Sequence, residues 1–279
     1  MTGNYRCGTV RWQSLEKFAV LVLLCCFGLS SAVSQAEGNN GTSQDAHSSA
    51  ASLPDAPEPV TLRGTPVRIL KDQAAIWTSP ARIHRRDLIW LAPLAVATGV
   101  SIATDHHTMK SVVSHDKDFN QNSVDASNVL FGGFVAAPVA LYGIGYLKGN
   151  DHAREAGLLG GEALVDGLVV DEAMKLVFRR ERPAIKDARG HFFEGSVSDS
   201  SFPSTHSVLA WSSAAVLAEE YPSRWAQVGI YTMATGVSLT RVMGQEHFPT
   251  DVVVGSAAGW LIGHYVFRAH HRHGLKLHN

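Results

Sequence analysis

From about Arg85 onward the chain runs as long apolar segments punctuated by short polar loops, and no stretch shows sustained period-two alternation. That pattern speaks against a sheet and predicts helices. Six are expected, at roughly Asp87 to Thr104, Ala126 to Leu147, His152 to Arg180, Ser204 to Glu220, Ser223 to Val242 and Pro249 to His270. Pro183 biases its predecessor away from helical backbone and ends the third. Pro249 is a residue favoured in the first turn and opens the sixth. The expected fold class is all-α, a six-helix bundle.

Upstream the texture differs. Residues 1–36 read as an export signal, with Arg6, Arg11 and Lys17 ahead of an apolar run from Phe18 to about Leu29 and small residues after it. Ser34 and Ala36 fit the small-x-small cleavage rule and put the mature start near Glu37; Ala32 and Ser34 offer another cut. Read instead as a membrane anchor, Phe18 to Val33 is about 16 residues, short for a span. Lipoprotein processing at Cys25-Cys26 is discounted, because Leu24 stands where a small residue is needed. All three cysteines, Cys7, Cys25 and Cys26, lie in this leader, so the mature part has no thiol chemistry and no cysteine metal site. Residues 37–62 are rich in Gly, Asn, Ser, Ala, Pro and Asp, the composition of a disordered linker. One domain, 63–279, follows, with its core at about 87–270.

Charge and hydropathy narrow the class. A formal net charge of -1 over 279 residues leaves no basic excess to neutralise a phosphate backbone, which excludes a nucleic-acid binder. Hydrophobic content of 45% with a mean hydropathy of +0.01 is high for a soluble protein and low for a mostly embedded one. Leu88 to Thr104 and Val129 to Leu147 are uncharged and long enough to span a bilayer. Against spanning, the third helix carries Glu162, Asp166, Asp171 and Glu172. Moreover Arg63, Arg68, Lys71, Arg82, Arg85 and Arg86 precede the first helix, where an export signal would put them outside the cytoplasm against the positive-inside tendency. The expectation is an exported protein of the periplasm or cell envelope, soluble or bound at a membrane surface; the alternative is an integral membrane protein.

Three patches carry candidate chemistry. Lys175 and Arg182 stand seven apart, two turns on one helical face, with Pro183 fixing the chain behind Arg182. A basic helix end complementing the dipole explains them equally well. Pro203-Ser204-Thr205-His206 opens an apolar helix. Ser204 or Thr205 is a plausible N-cap, and free N–H groups there also suit an anion. Arg241 is followed by His247 and Asp251 around Pro249. A carboxylate four residues on is placed to accept the imidazole Nδ1–H and leave Nε2 with its lone pair, the orienting logic of a triad with histidine as nucleophile. Plain capping by Asp251 is the competing account. Together, within about 80 residues, the patches supply three cations, two histidines and a carboxylate, the set a covalent phosphohistidine route requires.

In combination, Lys-x6-Arg-Pro, Pro-Ser-x-His and Arg-x5-His-x3-Asp resemble the type 2 phosphatidic acid phosphatase (PAP2) superfamily, which includes bacterial acid phosphatases, lipid phosphatases and vanadium haloperoxidases. The resemblance covers about Leu88 to His270 and implies the bundle type of that family. It departs at Thr240, where serine is usual, and at Thr205, where glycine is common; the second adds bulk near the phosphate. The resemblance implies that His247 attacks phosphorus, that Asp251 orients it, and that His206 protonates the leaving oxygen and later activates water. It implies that Lys175, Arg182, Arg241 and the N–H groups near Ser204 and Thr205 hold the equatorial oxygens. Three cations supply what magnesium supplies elsewhere, so neither metal nor cofactor is expected.

The expected function is thus a metal-independent phosphatase acting on a phosphomonoester or a lipid (pyro)phosphate. The alternatives are a haloperoxidase holding vanadate in the same pocket and a non-catalytic phosphate or lipid binder. The loop from Lys186 to Phe202, with His191, Phe192 and Phe193, is expected to wall the entrance. His106, His107, His264, His270, His271, His273 and His278 match no clean ligand spacing and are expected to be solvated.

Overall fold

A computed structural model describes residues 60–271. The expected export signal, the cysteines, nearly all of the expected linker, His273 and His278 lie outside the described residues. Seven α-helices form the described part: α1 (Thr65–Thr78), α2 (Leu88–His107), α3 (Lys117–Lys148), α4 (Asp151–Phe178), α5 (Thr205–Glu220), α6 (Arg224–Met243) and α7 (Pro249–His270). There is no strand among the described residues.

The six expected helices are α2 to α7, and the expected count is corrected by α1. This helix begins with Pro66 in its first turn and carries few core residues. Its attachment is polar: Arg68 donates to both carboxylate oxygens of Glu162 at 3.0 and 3.1 Å, and Gln73 donates to Asp166 at 2.7 Å, both on α4. The helix is amphipathic, but its apolar positions Val67, Leu70 and Trp77 are exposed rather than packed into the core. Two boundaries also move. The start of α3 is Lys117, where Asp116 Oδ1 accepts from Phe119 N at 2.8 Å. The end of α4 is Phe178, because Arg179 takes the left-handed conformation with φ 39°. Arg182 is therefore beyond the helix end, and the expected two turns of shared face with Lys175 do not exist.

Helix α5 occupies the centre. Its residues Ala210, Ala214 and Leu217 pack with Phe134 of α3 and Ala234 and Val237 of α6. On its other side Val216 joins Leu159, Ala163 and Val170 of α4 and Ile262 and Val266 of α7. Gly255, Gly259 and Gly263 form a stripe at four-residue spacing along α7, against the carbonyls of Ser204, Val208 and Ser212 on α5. A Cβ at Gly259 would strike the Val208 carbonyl oxygen and lie 3.0 Å from Trp211 Cβ. Backbone rather than a flexible side chain is in the way, so Gly259→Ala is expected to destabilise by roughly 1–3 kcal/mol. Its melting temperature should fall by several degrees, whereas Gly99→Ala, where nothing lies within 4 Å of the added carbon, should not follow it.

Two segments, Arg85–Val112 and Lys117–Lys148, are long and apolar enough to cross a membrane. Much of their apolar surface is uncovered: Leu88, Ile89, Trp90 and Val96 on α2, and Val129, Val139 and Leu147 on α3, are exposed.

Candidate active site

The C-terminal ends of α4 and α6 and the N-terminal ends of α5 and α7 meet at one end of the bundle, and all eight expected site residues lie there. Lys175, in the last turn of α4, reaches the Thr205 hydroxyl at the start of α5. That hydroxyl donates to Asp171 Oδ2 at 2.8 Å, and Lys175 Nζ lies 3.0 Å from the same oxygen. Thr205, one of the two departures from the motif pattern, thus ties Lys175 and Asp171 together. Ser204 is the N-cap of α5, but its hydroxyl makes no cap bond and is buried without a hydrogen-bond partner. Its own N–H is given to the Asp251 carbonyl at 3.1 Å. The Ser204 N–H is therefore not available to an anion. The first-turn groups of Thr205, His206 and Ser207 are the N–H donors that lack intrahelical acceptors.

His247 is buried just ahead of α7, and its Nδ1 lies 2.8 Å from the Ser201 carbonyl oxygen. A carbonyl only accepts, so Nδ1 carries the hydrogen and Nε2 keeps the lone pair. Asp251 Oδ2 stands 3.6 Å from Nδ1, too far for a hydrogen bond. The expected direct acceptance by Asp251 is replaced by the Ser201 carbonyl. Asp251 instead closes the first turn of α7, accepting from Phe248 N at 2.8 Å. Its other oxygen accepts from Arg180 Nη1 at 2.6 Å. Arg180 is buried; its Nη2 donates to Asp105 Oδ2 of α2 at 2.6 Å, and Asp105 Oδ1 accepts from Thr250 N at 3.1 Å. This Asp105–Arg180–Asp251 chain fixes the turn that carries His247.

His206 sits in the first turn of α5, with Nε2 3.1 Å from Asn128 Oδ1 of α3 and its ring against Phe131 at 4.4 Å. Arg182 donates to Asp199 at 2.7 Å and to Glu246 Oε2 at 2.9 Å. Arg241, buried, donates to the same Glu246 oxygen at 3.3 Å. A carboxylate thus bridges two of the three cations, as a phosphate oxygen would.

The electrostatics follow from burial and from these cations. Burial holds His206 well below the usual imidazole range, and Arg241, His247, Lys175 and Arg182 push it the same way. His247 is held low by burial first and then by Arg182, Arg241 and Lys175, against the Ser201 carbonyl. Both imidazoles are neutral at pH 7, and each feels all three cations. Burial also lowers Arg241 to about 10. It raises Asp251 to about 6, against the pull of Arg180.

Six contributors escaped the sequence reading: Asp105, Asn128, Asp171, Arg180, Ser201 and Glu246. Arg180 and Glu246 adjoin the motif residues. Asn128 closes the polar first part of α3, just before its apolar run, and Asp171 lies one helical turn before Lys175. The aromatic loop is partly as expected: Phe192 and Phe202 pack edge-on with each other at 5.5 Å, while Phe193 stays exposed.

A bundle that brings this histidine pair and three cations together defines a class, and the comparisons name it. Residues 156–275 match the model of the PAP2 superfamily. The chain is 33% identical over 132 residues to a lipid A 1-phosphatase of Porphyromonas gingivalis, covering 46% of this chain and 26% of that protein. It is 32% identical over 124 residues to the undecaprenyl-diphosphatase BcrC of Bacillus subtilis, covering 44% of this chain and 62% of that one. The chain thus spans less than two thirds of the length of either relative. No solved structure gives a significant match.

Proposed function

We propose that the protein is a phosphatase that hydrolyses a lipid phosphate or pyrophosphate through a phosphohistidine on His247. The carrying observation is the histidine pair, neutral and buried, with Lys175, Arg182 and Arg241 acting on both rings. Substrate phosphate displaces the Glu246 carboxylate from Arg182 and Arg241, and its equatorial oxygens take up those donors, Lys175 and the first-turn N–H groups of α5. The bound phosphate dianion offsets the cations and lets His206 take up a proton. His247 Nε2 then forms a bond to phosphorus as the bond to the leaving oxygen breaks, and the His206 imidazolium gives that oxygen its proton. Water then attacks the phosphohistidine, His206 takes a proton from it, and inorganic phosphate leaves with His247 restored. Charge stabilisation and positioning dominate such transfers, which three cations provide without a metal ion. Asp251 acts as a positioning residue, holding the α7 turn rather than the imidazole itself.

A lipid rather than a soluble ester is favoured by the exposed apolar faces of α2 and α3 and by the activities named for both relatives. The same faces favour a protein of the cell envelope in contact with a membrane. The purified protein should hydrolyse p-nitrophenyl phosphate in the presence of EDTA and be inhibited by vanadate. A panel of phosphatidate, phosphatidylglycerol phosphate, undecaprenyl pyrophosphate and lipid A should show a preference for a lipid substrate. Bromide oxidation with added vanadate would instead indicate a haloperoxidase, and phosphate binding without turnover a non-catalytic binder.

His206→Ala should lower turnover by about 10²–10⁴ on substrates with poor leaving groups and much less on an activated aryl phosphate. Equal losses on both would remove the acid role from His206. The same role has a pH signature. In the free protein the surrounding cations hold His206 low; a bound phosphate dianion offsets them, and the imidazole pKa rises. The alkaline limb of kcat should therefore lie at higher pH than that of kcat/KM.

A further inference from the structure

We propose that Glu246 is a built-in competitor for the phosphate seat. Its carboxylate holds Arg182 and Arg241 in the free protein, sets the affinity an anion needs in order to enter, and speeds the release of product phosphate. This rests on the phosphate-binding roles given above to the two arginines. It adds a residue at an open position of the Arg-x5-His spacing that governs which anions reach them.

The geometry is that of an occupied anion site. Glu246 Oε2 accepts from Arg182 Nη1 at 2.9 Å and from Arg241 Nη2 at 3.3 Å. One oxygen therefore spans a guanidinium from the loop after α4 and a buried one from the last turn of α6. Arg182 Nη1 also donates to the Glu246 backbone carbonyl at 3.1 Å. The backbone is shaped to present this side chain. At the end of α6 the Glu246 N–H is given to the Arg241 carbonyl at 3.1 Å and the Gln245 N–H to the Val242 carbonyl at 3.0 Å. That pair of bonds closes a helix around one left-handed residue, which is usually glycine. Here it is Gln245, with φ 55°. A residue with a side chain is strained there, and Gln245 is secured by donating to the Ser114 carbonyl at 2.7 Å. The turn directs Glu246 back over the helix end that bears Arg241.

Competition follows from exposure and charge. The Glu246 side chain is 31% exposed, so its carboxylate can swing into water rather than into the protein interior. An entering anion has to displace it, and its apparent affinity is reduced by the fraction of molecules in which the seat is open. The factor is the same for every anion and leaves their order unchanged; it decides which of them bind at all. A phosphomonoester, or the terminal phosphate of a pyrophosphate, exchanges one carboxylate for a dianion. A phosphodiester carries one charge and gains little over the carboxylate it replaces. At a membrane rich in phosphodiester headgroups, Glu246 keeps the pocket clear for terminal phosphate. As inorganic phosphate departs the carboxylate returns, and the arginines pass from one anion to another without a stage of uncompensated charge.

Asp199 provides a contrast. It accepts from Arg182 at a different nitrogen, Nε, at 2.7 Å, and its side chain is 56% exposed. Acids elsewhere have other partners. Asp72, Glu219 and Glu220 pair with His270, His264 and His271, which corrects the expectation that these histidines are solvated.

The test is calorimetric binding of inorganic phosphate, vanadate and dimethyl phosphate, a monoanionic diester, to the full chain. A seat held by Glu246 about nine-tenths of the time corresponds to a factor of about ten. Phosphate and vanadate affinities should therefore rise about tenfold in Glu246→Gln and in Glu246→Ala. Dimethyl phosphate, without measurable binding to the unaltered protein, should bind both variants. In turnover, the inhibition constant of product phosphate should fall by the same factor. Asp199→Asn removes the same charge from beside Arg182 and should change these affinities by less than about threefold. Thermal melts report the fold of each variant, and either Glu246 substitution carries the comparison if the other fails to fold. Unchanged or weaker phosphate and vanadate binding in the Glu246 variants would overturn the proposal and make Glu246 a positioning residue for the arginines. An equal gain in Asp199→Asn would overturn it as well, by reducing the effect to general charge. Phosphate binding undiminished in Arg241→Gln would overturn the reading beneath it, and the proposal with it.

Discussion

Replacing His247 by alanine should abolish turnover, by at least about 10⁴-fold, while leaving phosphate and vanadate binding measurable. The reason lies in the division of labour at the site. Lys175, Arg182, Arg241 and the α5 N-terminus hold an anion whether or not a nucleophile is present, so binding survives. The bond to phosphorus has no other donor in this geometry, because His206 is occupied with Asn128 and is assigned the proton. Loss of a covalent nucleophile removes the two-step route altogether, and what remains is positioning and charge stabilisation. His247 contributes one hydrogen bond to Ser201, so a fold effect has to be separated from a chemical one. The check is kcat on p-nitrophenyl phosphate beside a vanadate titration and a thermal melt of the same preparation. Residual turnover within tenfold of the unaltered protein would move the nucleophile elsewhere.

The second large effect is on stability. Arg180→Met should cost about 3–5 kcal/mol, because it leaves Asp105 and Asp251 buried without their shared cation. For a chain of this size that corresponds to a fall in melting temperature of about 10 °C. The loss should depend on pH in a defined sense. Asp251 already stands at about 6, above the ordinary 3.8, and Arg180 is what pulls it down. Removing that cation raises it further. A carboxylate whose folded pKa lies above its unfolded value binds extra protons when folded. Its contribution is present at low pH and lost as pH rises through the folded pKa. The deficit of Arg180→Met should therefore be smallest near pH 4 and reach its full size above neutrality. Melts at pH 4.5 and pH 8 check this, and Asp105→Asn in the Arg180→Met background should recover part of the loss at pH 8.

These two residues also mark how far the chain could be read before its structure. His247 was legible because its spacing to Arg241 and Asp251 is local, and because Pro249 announces the helix that follows. The helix ends that gather the site were legible from apolar runs and prolines, to within a few residues for α5, α6 and α7. Arg180 was not. It lies among Arg179, Arg182 and Lys186 in one basic stretch, and only the fold reveals that it turns inward, to an aspartate 75 positions earlier and another 71 positions later. Helix α1 was missed although its sequence is amphipathic: it lies ahead of the long apolar segments, and the charges and amides that tie it to α4 have no local signature. Asp251 stands beside His247, but Ser201, in a loop with no pattern of its own, supplies the carbonyl next to Nδ1. Long-range polar pairing is the common element in these misses: hydrophobic periodicity records which face is buried, not which buried charge meets which.

The central claim is a covalent bond between phosphorus and His247 Nε2. It is tested most directly by mixing the protein with phosphorus-labelled substrate, quenching in alkaline denaturant that preserves phosphohistidine, and mapping the label by peptide. The label is predicted on the peptide carrying His247, absent in His247→Ala, and more abundant in His206→Ala, where water activation is slowed. Label on another residue, or hydrolysis at full rate with no labelled peptide at any time point, would contradict the account.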